Sequence, residues 1–399
     1  MCYQTPAYLV IFLFRVSTLT PTSRTSSTRL SFSVSSPELV RFHRSSSAKS
    51  FATMSWPTDS ERSFIFQLNA IKEAVAKMTG RDTGEVQLRS AQFEGEVCFR
   101  VDEIQHPIGN NKNGESKEKS IWGTYARGAL YALQISKKNL KQGIVGYISG
   151  SDGLDSSGLS SSAAVGVAYL LALENANELS VSPTENIEYD RLIENGYLGL
   201  RNGILDQSAI LLSSYGCLTY MDCKTMDHKL VQGPELEKPF RILLAFSGLK
   251  QALTTNPGYN LRVAECQEAA KVLLTASGNS KLEPTLCNGL KAWASGNLEE
   301  FGKLISASGL SSIENYECGA EPLIQLYKIL LKAPGVYGAR FSGAGFRGCC
   351  VAFVDAEKAE EAASYVKGEY EKAQPEFAKK LSCAKPVLIC EAGDSARVL

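Results

Sequence analysis

The sequence predicts an α+β protein of two domains, and three observations lead to that reading. With 399 residues, the chain is longer than one ordinary hydrophobic core holds. Strand-like and helix-like stretches are mixed along it with no internal repeat. A Pro-containing turn over residues 233–239 separates one such mixture from another. The expected organisation is an extension over residues 1–53, an N-terminal domain over 54–236 and a C-terminal domain over 237–399.

Composition excludes several classes of function. Hydrophobic residues make up 44% and charged residues 21%, as in an ordinary globular chain. Lys+Arg and Asp+Glu balance at 42 each, so nothing draws the chain to nucleic acid or to a membrane surface, and neither partner is expected. The 11 cysteines include no Cys-x-x-Cys pair, which argues against a zinc ribbon or a thioredoxin-like site and fits reduced thiols. Only His43, His106 and His228 are present, too few for a His-rich metal site.

The first fifty residues differ from the rest. Residues 7–14 are apolar but too short to span a bilayer, and no basic residue precedes them. Residues 18–50 are rich in Ser, Thr and Arg with Glu38 as the one acid, a composition similar to an organelle transit peptide. The alternative is that Met54 opens the protein and the preceding residues are disordered. The expected location is cytoplasmic, or plastid if the extension is a genuine transit peptide.

Each element has its own signal. Asp59 or Ser60 caps a first helix through Ile65, Leu68, Ile71, Ala74 and Val75. Residues 86–90 and 96–101 form a hairpin around Glu94-Gly95, and the polar stretch 109–119 is a surface loop. Helical spacing covers 122–140, a strand 144–148, and helices 189–197 and 203–212. Strands follow at 217–221 and 241–246, then helices at 260–277, 297–308 and 322–332. Strands 336–341 and 348–354 flank a Gly-rich turn, and a charged helix at 356–372 precedes the last strand, 386–390.

The stretch that carries chemistry is residues 150–174. A strand feeds a Gly/Ser loop, and the loop ends where Ala163, Ala164 and Val165 begin an apolar helix, so Ser160, Ser161 and Ser162 fall at its cap and first turn. A helix N-terminus offers unpaired N–H groups and partial positive charge, which suits phosphate. A capped buried helix behind a flexible loop accounts for the same residues, and the two readings stay open at this point. Glu194 and Asp206 stand a dozen residues apart, Asp206 within Ile204-Leu205-Asp206-Gln207, so it is at least partly buried. An isolated Asp there caps a helix or pairs with Arg191 or Arg201; beside a phosphate loop it can position an attacking hydroxyl. Gly343-Ala344-Gly345-Phe346-Arg347-Gly348 matches the dinucleotide fingerprint literally, but a strand rather than a helix follows, so it reads as a turn between strands.

Together these pieces resemble the GHMP small-molecule kinases. Ser157-Gly158-Leu159-Ser160-Ser161-Ser162-Ala163 is similar to their second motif, and residues 338–349 to their third. Glu194-Asn195-Gly196-Tyr197-Leu198-Gly199, with Gly203-Ile204-Leu205-Asp206-Gln207, resembles the galactokinase branch, as do Tyr259-x-x-Arg262 and Asn315-Tyr316-Glu317-Cys318. The resemblance implies a ribosomal-S5-like N-terminal domain and a ferredoxin-like C-terminal domain. It further implies ATP and Mg²⁺ as cofactors, with ATP and a sugar acid as small-molecule partners. Gly158, Leu159, Ser160, Ser161 and Ser162 would hold the ATP phosphates, with Ser162 and Glu194 on Mg²⁺. Asp206 would orient or deprotonate the anomeric hydroxyl and Tyr259 would contact the sugar. Gly343 and Gly345 would let the third-motif loop pack against the site.

The implied reaction is ATP-dependent phosphorylation of D-galacturonate to its 1-phosphate, with galactose as the alternative acceptor. Three departures stand out: Asn195 replaces a customary His, Arg347 a customary Gly, and the first family motif is absent, so the N-terminal domain is incomplete. That motif belongs between Glu85 and Val86, and a second loss falls around residues 287–291. The absent motif would have supplied sugar ligands and a positive charge near the transferring phosphate. Arg81, Arg89 and Arg100 are no evident replacement for it. A catalytically dead sugar- or nucleotide-binding variant is therefore the second alternative.

Overall fold

The computed structural model describes residues 8–11, 84–90, 93–108, 121–148, 159–222, 225–233, 239–249, 286–381 and 386–396, with parts of 261–269. The expected first helix, the 109–119 loop, Gly158, Tyr259 and most of the extension lie outside the described residues. So does most of the expected 260–277 helix. Within the extension, β1 (Tyr8–Ile11) is a strand.

In the N-terminal half, β2 (Glu85–Ser90) and β3 (Glu96–Arg100) form the expected antiparallel hairpin. A 3₁₀ turn, Ile121–Gly123, leads into α1 (Thr124–Ile135). This helix stops short of the predicted residue 140 because Lys137 takes a positive φ of 56° and the Lys138 N–H returns to Leu133 O at 3.0 Å. Strand β4 (Val145–Ile148) pairs parallel with β2, giving the sheet order β3-β2-β4. Helix α2 (Ser161–Ala176) follows; Val86, Leu88 and Phe99 of the sheet pack with Leu130 and Leu133 of α1 and Leu170 and Leu173 of α2. Fully burying each such side chain contributes about 1.5–3 kcal/mol. Strand β2 runs straight through Glu85–Val86, the point where the family resemblance places the absent first motif.

Helix α3 (Pro183–Arg191) begins six residues before the predicted 189, on a capping box formed by Ser182 and Glu185. A π-helical turn, Leu192–Tyr197, continues it. Helix α4 (Leu205–Leu212) comes next, then β5 (Cys217–Asp222), which lies between β1 and β6 (His228–Gln232) in an antiparallel sheet. Strand β6 escaped the sequence reading because its residues are mostly exposed and carry no apolar alternation.

The C-terminal half opens with β7 (Phe240–Phe246); after the partly described helical residues of 261–269 come α5 (Leu286–Ala294), α6 (Leu298–Glu314) and α7 (Glu321–Leu330). After them come β8 (Val336–Phe341), β9 (Cys349–Asp355), α8 (Ala359–Ala373), α9 (Pro375–Lys380) and β10 (Val387–Cys390). The sheet runs β10-β7-β9-β8 with every neighbour antiparallel, a ferredoxin-like arrangement. Strands β7 and β9 are buried almost throughout, against Phe301, Leu323 and Val366 of the helices. Leu159, at the end of the Gly/Ser loop, packs against this C-terminal core and joins the two halves at the site.

Candidate active site

Ser160 occupies the N-cap position of α2 with φ 56° and ψ 36°, and its side chain caps nothing. The left-handed backbone turns the hydroxyl away from its own helix, where it donates to the Asp206 carboxylate instead. The expectation of a side-chain cap is thereby corrected. Ser161 opens the helix, and Ser162 in the first turn donates to Glu194 and is hydrogen-bonded to the Tyr125 hydroxyl.

Glu194 rides on the π-helical turn, where Leu198 N–H bonds to Ile193 O, five residues back, at 3.0 Å. The widened turn carries Glu194 into the interior, leaving it 1% exposed. Asn202 Nδ2 donates to Glu194 Oε2 at 2.9 Å, while Oε1 has no partner. Asn195 holds Asn202 in turn: its Nδ2 donates to Asn202 O at 2.9 Å and its Oδ1 accepts from Asn202 N at 3.1 Å. Burial raises the Glu194 carboxyl above its ordinary range, opposed by the hydrogen bonds from Asn202 and Ser162.

Asp206 is the second residue of α4. Burial raises its carboxyl too, while the Ser160 hydrogen bond and the Arg347 guanidinium pull it down. It is not paired with Arg191, which binds Glu188 at 2.8 Å. A third acid, Asp190, is fully buried with neither carboxylate oxygen partnered. Burial raises its carboxyl well above the ordinary range, with Glu194 and Asp206 adding to the effect. Asp190 lies against Gly166 of α2, where any Cβ would collide with Oδ1. Sequence reasoning passed over Asp190, Tyr125 and Asn202; the one available signal for Asp190 was its place four residues, one helical turn, before Glu194.

The third-motif turn joins β8 to β9. Gly343 and Gly345 take φ of +87° and +76°, and the Phe341 ring fills the space where a Cβ on Gly345 would stand. Gly345 O accepts from Ala320 N at 2.8 Å, and Gly348 O accepts from Ser247 N and Oγ at 2.9 and 2.6 Å. Arg347 extends from this pinned turn, and its positive charge favours the ionised forms of Asp206 and Tyr125. Arg89 and Arg100 are engaged elsewhere, with Glu96 at 3.2 Å and Asp102 at 2.9 Å.

The donor set suits a hard cation. Ser162 and Glu194 offer two oxygens, one of them the unpartnered Oε1, and Mg²⁺ commonly takes few protein ligands beside phosphate oxygens and water. Among the described residues, no cluster of three or more His, Cys, Asp or Glu could hold a metal by itself. No helix among them is long and apolar enough to cross a membrane.

Comparison with known proteins gives the site its context. Residues 124–214 match the GHMP kinases N terminal domain and residues 290–372 the GHMP kinases C terminal family. The galacturonokinase of Arabidopsis thaliana is 72% identical over an alignment of 429 positions, taking in 87% of this chain and all of the relative. Since 87% of 399 residues is about 347, roughly 80 aligned positions face no residue here. A galactokinase of Lactococcus lactis subsp. cremoris is 29% identical over 74% of this chain and 79% of its own length. The crystal structure of Lactococcus lactis galactokinase complexed with galactose superposes with a TM-score of 0.66 at 27% identity, covering 80% of this chain and 85% of that one. Methanococcus jannaschii mevalonate kinase shares the fold at a TM-score of 0.50 and 18% identity, over 79% of this chain and 86% of that chain. The chain belongs to the GHMP kinase family, among the ATP-using sugar kinases of its galactokinase and galacturonokinase branch.

Proposed function

We propose that the chain transfers the terminal phosphoryl group of ATP to the anomeric hydroxyl of D-galacturonate. The observation that carries this is the pair of hydroxyl–carboxylate contacts at one helix N-terminus, Ser160 with Asp206 and Ser162 with Glu194. One contact offers a base beside an acceptor hydroxyl, the other a cation site beside a phosphate. The 72% identity to a galacturonokinase favours the sugar acid over galactose, the Lactococcus lactis galactokinase being 29% identical.

In this reading the free N–H groups of Ser161, Ser162 and Ala163 take phosphate oxygens, helped by the helix dipole. Leu159 anchors the loop against the C-terminal core. Ser162 and Glu194 would hold Mg²⁺, which when bound neutralises phosphate charge. Asp206 accepts the proton of the anomeric hydroxyl as that oxygen attacks, and its burial-raised carboxyl is tuned toward that task. Gly158 and Tyr259 keep the phosphate and sugar roles that the family resemblance implies. The site is built for small molecules, with neither nucleic acid nor membrane as partner, and we place the protein in the cytoplasm.

A second reading rests on the roughly 80 positions without a counterpart here: the chain binds MgATP but turns over poorly. The decisive experiment compares this chain with one in which those positions are restored, each offered galacturonate or galactose with MgATP. Galacturonate 1-phosphate from both supports the kinase reading; product from the restored chain alone supports the second. Galactose 1-phosphate as the main product overturns the assignment of the acceptor.

A further inference from the structure

The loop between the two site carboxylates is tied back on itself by side-chain amides. Asn202 lies in that loop, eight residues after Glu194 and four before Asp206. Asn195 grips both polar groups of the Asn202 backbone, its Nδ2 donating to Asn202 O at 2.9 Å and its Oδ1 accepting from Asn202 N at 3.1 Å. A primary amide carries a donor and an acceptor in one plane, as a peptide does, so one side chain serves both. The customary His at that position has its two ring nitrogens on different edges and would serve one. Leu200 N–H adds a backbone bond to Glu194 O at 2.9 Å. Held this way, Asn202 donates from Nδ2 to Glu194 Oε2 at 2.9 Å. The opposite orientation of the Asn202 amide would set oxygen against oxygen.

One oxygen of the buried carboxylate is thus satisfied, and the other, Oε1, has no partner among the described residues. On the kinase reading above, which assigns Glu194 to Mg²⁺, we propose that Asn202 is a positioning residue for that cation. It fixes Oε2 so that Glu194 presents Oε1 alone, and Asn195 keeps Asn202 in place. Mg²⁺ demands near-ideal octahedral geometry, so a carboxylate free to rotate or to chelate through both oxygens is a poor ligand for it. Hydrogen bonds to the oxygen that does not ligate are the usual means of orienting such a carboxylate. A neutral amide does this without cancelling the charge that attracts the cation. A Lys or Arg at position 202 would pair with Glu194 and compete with Mg²⁺. The orphaned Oε1 then has a reason to exist: a buried acceptor is costly unless something completes it.

The test uses the whole chain and needs no turnover. Calorimetric titrations with AMP-PNP, in excess Mg²⁺ and in EDTA, give the factor by which the cation strengthens nucleotide binding. Asn202→Leu keeps the side chain's approximate shape and removes its donor. It should cut that factor about tenfold, as loss of a ligand's hydrogen-bond partner does, with the affinity in EDTA nearly unchanged. Asn195→Ala leaves the Asn202 amide present but releases its backbone, and should cut the factor in the same direction by less. In a Glu194→Gln background neither change should cost anything further, which separates positioning of Glu194 from general damage to the loop. A factor equal to the parent's in both single variants overturns the proposal, as does a loss just as large in the Glu194→Gln background. If Asn202→Leu does not fold, Asn195→Ala decides by the same comparison. A factor abolished by Glu194→Gln yet untouched by the asparagine variants overturns this proposal alone. A parent whose nucleotide affinity ignores Mg²⁺ overturns the assignment of Glu194 to the cation, and this proposal with it.

Discussion

Ser160 hydrogen-bonds to Asp206 across 46 residues of sequence, although it stands where a serine ordinarily caps its own helix. Its left-handed backbone makes the difference, and a non-glycine residue held at φ 56° beside a half-buried acid marks a position shaped by the site. Removing this hydroxyl should push the Asp206 carboxyl further up, since burial alone then dominates. In the chain with the missing positions restored, Ser160→Ala should move the acid limb of the pH–rate profile to higher pH. Its urea midpoint should stay close to the parent's, because a true cap loss would cost about 1 kcal/mol. An unmoved profile with that stability loss would return Ser160 to a capping role.

Asp206→Asn, in the same restored chain, should fold and bind nucleotide but turn over about 10²–10⁴-fold more slowly, the usual effect of losing a general base. Steady-state kinetics with galacturonate check this. Near-normal turnover removes Asp206 from the mechanism.

Glu194→Gln and Ser162→Ala address the cation. Each should weaken the magnesium-dependent part of AMP-PNP affinity, by about tenfold for the lost charged ligand. The Glu194→Gln chain without nucleotide should melt no lower than the parent, because a buried oxygen without a partner is already costly. A magnesium effect identical in parent and variants would show that the cation binds elsewhere.

Asp190 gives a stability prediction with a definite sign. Its carboxyl is raised in the folded protein, so the folded state holds its proton where the unfolded chain, with an ordinary carboxyl near 3.9, has released it. Stability is fully present below that unfolded value and falls as pH rises toward the raised one. Asp190→Asn should therefore match the parent near pH 4 and gain over it as pH increases, by about 1–3 kcal/mol at neutrality. Urea unfolding across that range checks the slope, and a variant less stable than the parent at pH 7 would show that the Asp190 carboxylate has a stabilising partner. Gly166→Ala should destabilise the parent, since its methyl meets Asp190 Oδ1, and should do so less in an Asp190→Ala background.

Much of this protein was legible in one dimension because its signals are local. The apolar run after Ser162, the alternation in 86–90 and 96–101 and the turn between β8 and β9 each depend on near neighbours, so element type could be read directly. Boundaries were less legible: α1 stops where Lys137 turns left-handed, and the π-helical turn at Glu194 has no sequence signature. The resemblance identified Ser162, Glu194 and Asp206 but said nothing of what surrounds them. That Ser160 serves Asp206 rather than its own helix, and that Asn195 holds the asparagine that holds Glu194, was decided by tertiary structure. The same is true of the charge of Arg347, 141 residues further along the chain, which helps hold the Asp206 carboxyl down. Charge and hydrogen bonding act over a few ångströms of space regardless of sequence separation, so such partners emerge only when the chain folds.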